Sequence, residues 1–201
     1  KKAYQEDSKT KQDKLRKELY TILLDKYHKM HQEGVLQFHF VFPNNEVFLR
    51  MHKPSKFGDN LHDVRLDFTK VNEEHVIVRG FSQGRTAHAF RNVYPIFDED
   101  ENYLGAVEIS YPSEVLQNNL NEISEIYSHF LVNKNIFDTK TLKRDDLVLE
   151  YKKSLVSENY LLTKTNLDDE ILKNIKKLVT FSSSSRYIDN MEPFGSFYRN
   201  Y

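Results

Sequence analysis

The spacing of apolar residues changes abruptly at Gly34, and this change limits the folds open to the chain. Upstream, apolar residues recur at steps of three and four, which predicts one amphipathic helix over residues 6–33. Its apolar stripe comprises Leu15, Leu19, Ile22, Leu23, Tyr27 and Met30. Downstream, residues 35–42 and 46–52 are rich in β-forming residues and flank a Pro-Asn-Asn turn, which predicts a β-hairpin. The chain must therefore combine a long helix with an antiparallel sheet.

More strands follow this hairpin. Residues 53–72 contain a proline, a glycine and scattered charges, so a loop with short helical turns is predicted there. Residues 75–81, 86–97 and 103–110 have the pattern of strands. Two strands, a loop with helical turns and three more strands form the order of a PAS-type sheet. We therefore predict an α+β fold with a long N-terminal helix and a five-stranded antiparallel sheet.

The C-terminal part of the chain mixes helical and extended patterns. Pro112 suits the first turn of a helix that should reach about residue 131. Beyond it, the pattern predicts helix and loop in residues 140–158, a short strand in residues 159–162, a helix from Thr165 to about residue 179 and a final strand within residues 194–201. We expect a smaller region of helices and short strands here.

The composition narrows the classes of function. The 201 residues carry a formal net charge of −1, so no nucleic-acid partner is indicated. The absence of cysteine excludes disulfides, thiolate catalysis and cysteine-based zinc sites. The sequence has no apolar run near the ~20 residues of a membrane-spanning helix and no signal peptide, and it begins with Lys. We expect it to be part of a longer protein.

Charged and polar residues concentrate within the predicted sheet. The string RMHKPSKFGDNL begins at Arg50, and GFSQGR ends at Arg85. A guanidinium inside a small sheet domain is costly to bury unless it is paired. The cationic residues in question are Arg50, His52, Arg79, Arg85 and Arg91, and the carboxylates that could pair with them are Asp59, Asp63, Asp67 and Glu108. A bound anion is the other possible partner, because arginine offers a bidentate fork to carboxylates.

The strings RMHKPSKFGDNL, GFSQGR and FRNVYPIFDEDENYLGAVEISY resemble the membrane-distal module of bacterial double-Cache sensor domains. The resemblance covers residues 15–130 and is looser over residues 131–201. It implies a long helix in residues 1–34, a distal PAS-like module in residues 35–112, and a connecting helix with a membrane-proximal second module, complete or cut short, in residues 113–201.

The same resemblance implies a function and a set of site residues. Such domains receive small ligands outside the cytoplasm for histidine kinases, chemoreceptors and cyclic-di-GMP enzymes, so we expect a periplasmic domain of an inner-membrane protein. Homodimerisation through the N-terminal helix is also expected. The residues carried over as ligand-binding are Arg50, His52, Lys53, Phe57, Asp59, Arg85, Arg91, Tyr94 and Glu108. The basic excess among them favours a carboxylate or another small anion as the ligand.

Other functions are less well supported by the sequence. His28 and His31 could share a helix face, but the histidines form no HExxH motif, so no metal site is predicted. No GxSxG, P-loop or Rossmann fingerprint is present, and we predict neither an enzyme nor a cofactor. A cytoplasmic PAS domain holding haem or flavin is disfavoured by the long leading helix. A periplasmic protein-interaction module without a small ligand stays open as the alternative.

Overall fold

The structure, a computed structural model, describes residues 3–4, 6, 8–83, 88–124, 130–134, 152–153, 158–162, 186–187 and 198–199. Its first unit comprises Lys1–Gly80 and Phe90–Tyr111, and its second comprises Phe81–Ala89 and Pro112–Tyr201. The elements up to the end of the large sheet are α1 (Lys9–Gln32), β1 (Gln37–Val41), β2 (Val47–Arg50), α2 (Leu66–Glu74), β3 (Val78–Gln83), β4 (His88–Phe97) and β5 (Tyr103–Tyr111).

These five strands form one sheet in the order β2-β1-β5-β4-β3. β1 pairs antiparallel with both β2 and β5, and β4 pairs antiparallel with β5. The predicted PAS-like order and the α+β class are confirmed. β5 lies at the centre of the sheet, with the hairpin of β1 and β2 on one side and β4 and β3 on the other.

The core of the first unit lies between α1 and one face of the sheet. Its buried residues are Tyr27, Val35, Phe38, Phe42, Phe48, Leu49 and Met51. Leu15, Leu19 and Leu23 of α1 pack against this cluster, as the predicted helical stripe requires. Ile22, which the sequence also assigns to the stripe, is 74% exposed. At about 100° per residue, Ile22 lies at the edge of the stripe formed by Leu19 and Leu23, and its side chain faces solvent.

The loop with short helical turns predicted over residues 53–72 contains a longer helix in its second half, α2, which begins at Leu66 and ends at Glu74. Phe68 and Val71 are completely buried and three residues apart, so one face of this helix belongs to the core. His75 ends α2 in the left-handed conformation, with φ of 56°, and its N–H bonds the Val71 carbonyl. A nine-residue helix is too short to give a strong periodic signal.

Gly105 lets two strands approach closely. It has φ of +125°, and a Cβ at this position would lie 2.2 Å from the Val41 carbonyl oxygen. Only glycine fits there without moving the backbone of β1. Gly105 therefore permits the close approach of β5 to β1 near the turn that precedes β5.

The second unit contains α3 (Ser113–Ser124) and the short strands β6 (Leu131–Asn133), β7 (Lys152–Lys153), β8 (Tyr160–Leu162), β9 (Arg186–Tyr187) and β10 (Tyr198–Arg199). β6, β8 and β7 form a three-stranded sheet, and β10 pairs with β9. The short strands predicted in residues 159–162 and 194–201 are confirmed. Residues 152–153 form a strand where helix and loop were predicted, and the helix predicted from Thr165 lies outside the described residues.

In the part of the chain that the structure describes, no helix combines the length and hydropathy of a membrane span. The longest helix there, α1, is largely charged: it carries lysine, arginine, aspartate or glutamate in most of its turns.

Candidate functional site

The face of the sheet that carries His39, Arg91 and Glu108 is polar. Side chains alternate between the two faces of a strand, so His39 leaves β1 on the side opposite Phe38. His39 is paired in register with Glu108, and Ser110 is paired with both Gln37 and Arg91. These five residues, together with His52 after β2, are called the polar face below.

Glu108 lies at the centre of the polar face and is completely buried. Its Oε1 accepts a hydrogen bond from Arg91 Nη1 at 2.5 Å, and its Oε2 accepts one from Arg65 Nη2 at 2.8 Å. Burial alone would raise the pKa of this carboxyl group, but Arg65 and Arg91 hold it well below its ordinary value. Glu108 is therefore ionised in the folded protein.

Arg65 connects this centre to α2. Its Nε and Nη2 donate to the two carboxylate oxygens of Asp67, at 2.9 and 2.6 Å. Burial would lower the pKa of Arg65, but the charges of Asp67 and Glu108 raise it above the ordinary value. A bidentate contact between buried ions of opposite charge fixes the relative orientation of the two side chains and keeps both ionised. The start of α2 is thus held against β5 by a continuous ionic network.

His39 borders the same network. Its Nε2 lies 2.9 Å from Glu108 Oε2, and its ring stacks on Phe68 with centroids 5.0 Å apart. Burial lowers the pKa of His39 and outweighs the opposing effect of Glu108. An ionised carboxylate only accepts hydrogen bonds, so the proton of the neutral ring belongs on Nε2. Its Nδ1 is then a bare acceptor.

His52 lies beside His39, with ring centroids 5.9 Å apart. Burial, together with His39 and Arg50, lowers the pKa of His52 to about 4. The buried polar atoms of the polar face without a hydrogen-bond partner among the described residues include His39 Nδ1, His52 Nδ1 and Ser110 Oγ. Buried polar atoms in native proteins are nearly always bonded to protein, water or ligand. Water or a ligand would supply the partners that these three atoms lack.

The string RMHKPSKFGDNL forms a clamped loop. Arg50 donates to both carboxylate oxygens of Asp59, at 2.6 and 2.9 Å, and to the Lys56 carbonyl at 2.9 Å. The hydrogen bond from Arg50 lowers the pKa of Asp59. The exposed ring of Phe57 lies 3.5 Å from the guanidinium carbon of Arg16 on α1. This loop is therefore tied both to β2 and to the long helix.

The structure brings together only some of the predicted site residues. His52, Arg91 and Glu108 belong to the polar face, while Arg50 and Asp59 form the clamp at its edge. Lys53 is exposed. Tyr94 is three residues from Arg91 on the same strand, so it leaves the sheet on the other face; Arg79 lies 5.7 Å from its ring. Arg85 lies outside the described residues. A ligand-binding role for these nine residues stays a prediction.

The sequence did not single out two central residues of this site. Arg65 lies in a region predicted as loop, with no periodic signal to show that it is buried. His39 lies between Phe38 and Phe40, and the alternation of the strand was the signal that it faces away from them. Asp67 and Glu108 were expected as possible partners of arginines, and both now have that contact.

The described residues hold no group of three or more His, Asp or Glu side chains arranged to bind a metal ion. A concavity lies along α1, outside the polar face. Its described lining residues are Thr10, Asp13, Lys14, Lys17, Glu18, Thr21 and Ile22. None of these described lining residues is a predicted ligand residue. The described lining residues of this concavity all belong to α1.

Comparison with known proteins identifies the family. A double-Cache family model, described as a double sensory domain of two-component sensor kinases, matches residues 16–190. No curated protein matches the chain. Among solved structures, an extracellular ligand binding receptor from Desulfohalobium retbaense DSM5692 is similar, with a TM-score of 0.40 and 13% identity over 67% of this chain and 28% of that receptor. The family match spans most of the chain, which therefore belongs to the double-Cache family of sensory domains.

Proposed function

We propose that the chain is the extracytoplasmic ligand-sensing domain of a bacterial transmembrane receptor, and that its first unit binds a small anionic metabolite on the polar face. The observation that carries this proposal is the set of unpartnered buried atoms on His39, His52 and Ser110. A sheet that served only as scaffold would bury apolar side chains there. Membership of a family of sensory domains supports the same function.

The family supports a proposal for the location and the output of the domain. The description of the family as part of two-component sensor kinases favours a histidine kinase over a chemoreceptor or a cyclic-di-GMP enzyme. In a bacterium with two membranes, such a domain lies in the periplasm and is anchored in the inner membrane. A sensory domain needs binding and a conformational response but no catalysis, so we propose that the chain is not an enzyme.

We propose that α1 transmits the signal and pairs with α1 of a second copy. The described residues that line the concavity along α1 are spaced by three, four and seven positions, so they share one face of the helix. The exposed Ile22 is one of them. Anchored copies meet at high local concentration, so weak pairing suffices. Single cysteines at Lys14, Lys17 and Thr21 in the full-length receptor should crosslink between protomers, and cysteines at the buried Tyr27 should not. Absence of crosslinks at all three positions would refute the pairing.

The binding proposal is tested by thermal shift of the purified domain. The probes are sodium salts of acetate, pyruvate, succinate and phosphate, with a neutral sugar and an amine as other classes. A ligand that binds only the folded state raises stability by RT ln(1 + [L]/Kd), about 2.7 kcal/mol at a hundredfold excess over Kd. Ser110→Ala should reduce the shift, and Glu99→Ala at an exposed turn should leave it unchanged. Binding unaffected by Ser110→Ala and His52→Gln would place the site elsewhere.

A protein-interaction module is the second candidate, and a group of exposed apolar residues favours it. Val64, Leu66, Val76, Ile77 and Phe97 are each at least 38% exposed, around α2 and at the edge of the sheet. Exposed apolar patches mark interaction surfaces when they are contiguous. Capture of a periplasmic protein that is lost in Ile77→Asp, with no thermal shift from any small molecule, would favour this function over ligand sensing.

A further inference from the structure

The guanidinium groups around the polar face are already compensated by carboxylates. Arg50 is paired with Asp59, while Arg65 and Arg91 share Asp67 and Glu108. Three positive charges therefore face three negative charges in this part of the structure. An anion that entered here would add a negative charge to a buried and balanced network, which is costly without a new positive charge.

The two imidazoles are the groups that can supply that charge. His39 and His52 adjoin each other, and each has a buried Nδ1 without a partner in the described part of the chain. A bare imidazole nitrogen presents a lone pair, which repels an anion. The same nitrogen, once protonated, is a charge-assisted hydrogen-bond donor. Protonation thus turns an unfavourable contact with an anion into a favourable one.

His52 is better placed than His39 to take up the proton. His39 is 2% exposed and contacts Glu108 through Nε2, whereas His52 is only partly buried and so can exchange protons with solvent. The charged and titratable groups that face His52 come from three strands. They are His39 on β1, Arg50 on β2 and Glu108 on β5. Arg50 lowers the pKa of His52 and Glu108 raises it. An added anion would therefore shift the ring toward its protonated form.

We propose that an anion binds to the polar face only together with one proton, which His52 takes up at Nδ1, so that the domain senses the anion and acidity jointly. This inference rests on the proposed function, and it names the regulation of the same site. Binding and protonation are then reciprocal: the anion favours the protonated ring, and the protonated ring favours the anion. Uptake of one proton makes affinity rise about tenfold for each unit by which pH falls.

The pH range in which binding and proton uptake are coupled follows from the pKa of His52. Without ligand, the pKa of His52 is lowered from 6.5 to about 4, so the ring is neutral at pH 7 and remains mostly neutral at pH 5.5. With an anion beside it, the pKa must rise, because opposite charge favours the protonated form. Proton uptake on binding should therefore be strongest at pH values between about 4, the pKa of the unliganded ring, and the higher pKa of the liganded ring.

Calorimetry on the purified domain tests the inference. The strongest binder among acetate, pyruvate, succinate and phosphate is titrated at pH 5.5 and 7.5, at each pH in two buffers that differ in ionisation enthalpy. We expect uptake of about one proton at pH 5.5 and an affinity at least tenfold higher than at pH 7.5. His52→Gln should lose both effects, and His28→Gln on the exposed side of α1 should retain both, with folding of each variant checked by circular dichroism.

The outcomes separate this inference from the proposed function. An anion that binds without proton uptake, or proton uptake that persists in His52→Gln, overturns the inference and leaves ligand sensing in place. A shift with only the neutral sugar or the amine overturns both the anionic ligand and the inference, yet supports sensing. No thermal shift with any probe at either pH overturns the proposed function as well.

Discussion

Arg91 Nη1 donates to Glu108 Oε1 across the pair of strands β4 and β5, and the two side chains are 2% and 0% exposed. In register, Arg91 is opposite Ser110, so the contact is diagonal. Gln37 Oε1 accepts a second bond from Arg91 Nη1 at 2.7 Å. The arginine thus joins three neighbouring strands around one buried carboxylate.

Replacing Arg91 should destabilise the fold. Arg91→Ala leaves Glu108 with one fewer cation in a buried site, and removing one partner of a buried ion pair costs about 3–5 kcal/mol. The free energy of unfolding in urea measures this loss. Arg79→Ala is the control, because Arg79 is exposed and should change stability by less than about 0.5 kcal/mol. A loss below about 1 kcal/mol for Arg91→Ala would show that water or another group replaces the pair.

Acid should weaken the unliganded domain before the carboxylates titrate. Burial lowers the pKa of His39 and His52, so the unfolded chain binds more protons once pH falls below the ordinary histidine value of 6.5. Stability is therefore full above that pH and falls as pH drops toward about 4. Each histidine contributes a slope of at most about 1.4 kcal/mol per pH unit. Urea unfolding from pH 7.5 to 4.5 measures this slope, and His52→Gln should reduce it; an unchanged slope contradicts the prediction.

Loss of the Arg50–Asp59 pair should open the clamped loop. Asp59→Ala removes the two carboxylate acceptors of Arg50, so the guanidinium that also donates to the Lys56 carbonyl is held less firmly. Limited trypsin digestion should then cut faster after Lys56, with the products identified by mass spectrometry. Asp63→Ala is the control, since the Asp63 side chain is exposed and makes no hydrogen bond or ion pair with the described residues. Equal cutting rates in the two variants would mean that the loop is held in place without the Arg50–Asp59 pair.

Two glycines should differ sharply in their tolerance of a methyl group. Gly58 has φ of +79° with no atom within 4 Å of an added Cβ, so Gly58→Ala carries only the backbone strain of about 1–2 kcal/mol. Gly105→Ala adds a clash with the Val41 carbonyl oxygen and should cost several kcal/mol or prevent folding. Melting temperature and soluble yield report the difference. Similar stability of both variants would show that β1 and β5 can separate without loss.

The sequence by itself determined the elements of the fold. The change of period at Gly34 indicated a long helix followed by strands, and α1 with β1 and β2 follow that pattern closely. Period and turn chemistry are local properties, so they can be predicted without knowing which segments meet. The family resemblance carried by RMHKPSKFGDNL also follows from the sequence, and the family match confirms it.

Only the tertiary structure decided what the charged residues contact. From sequence, Arg50 and Arg91 could have been held by carboxylates or by a bound anion, because both partners satisfy the same guanidinium. The fold places Asp59 against Arg50, and it places Glu108 and Arg65 together although they are 43 residues apart. Such contacts depend on strand register and on the position of α2, and neither property is encoded by local spacing.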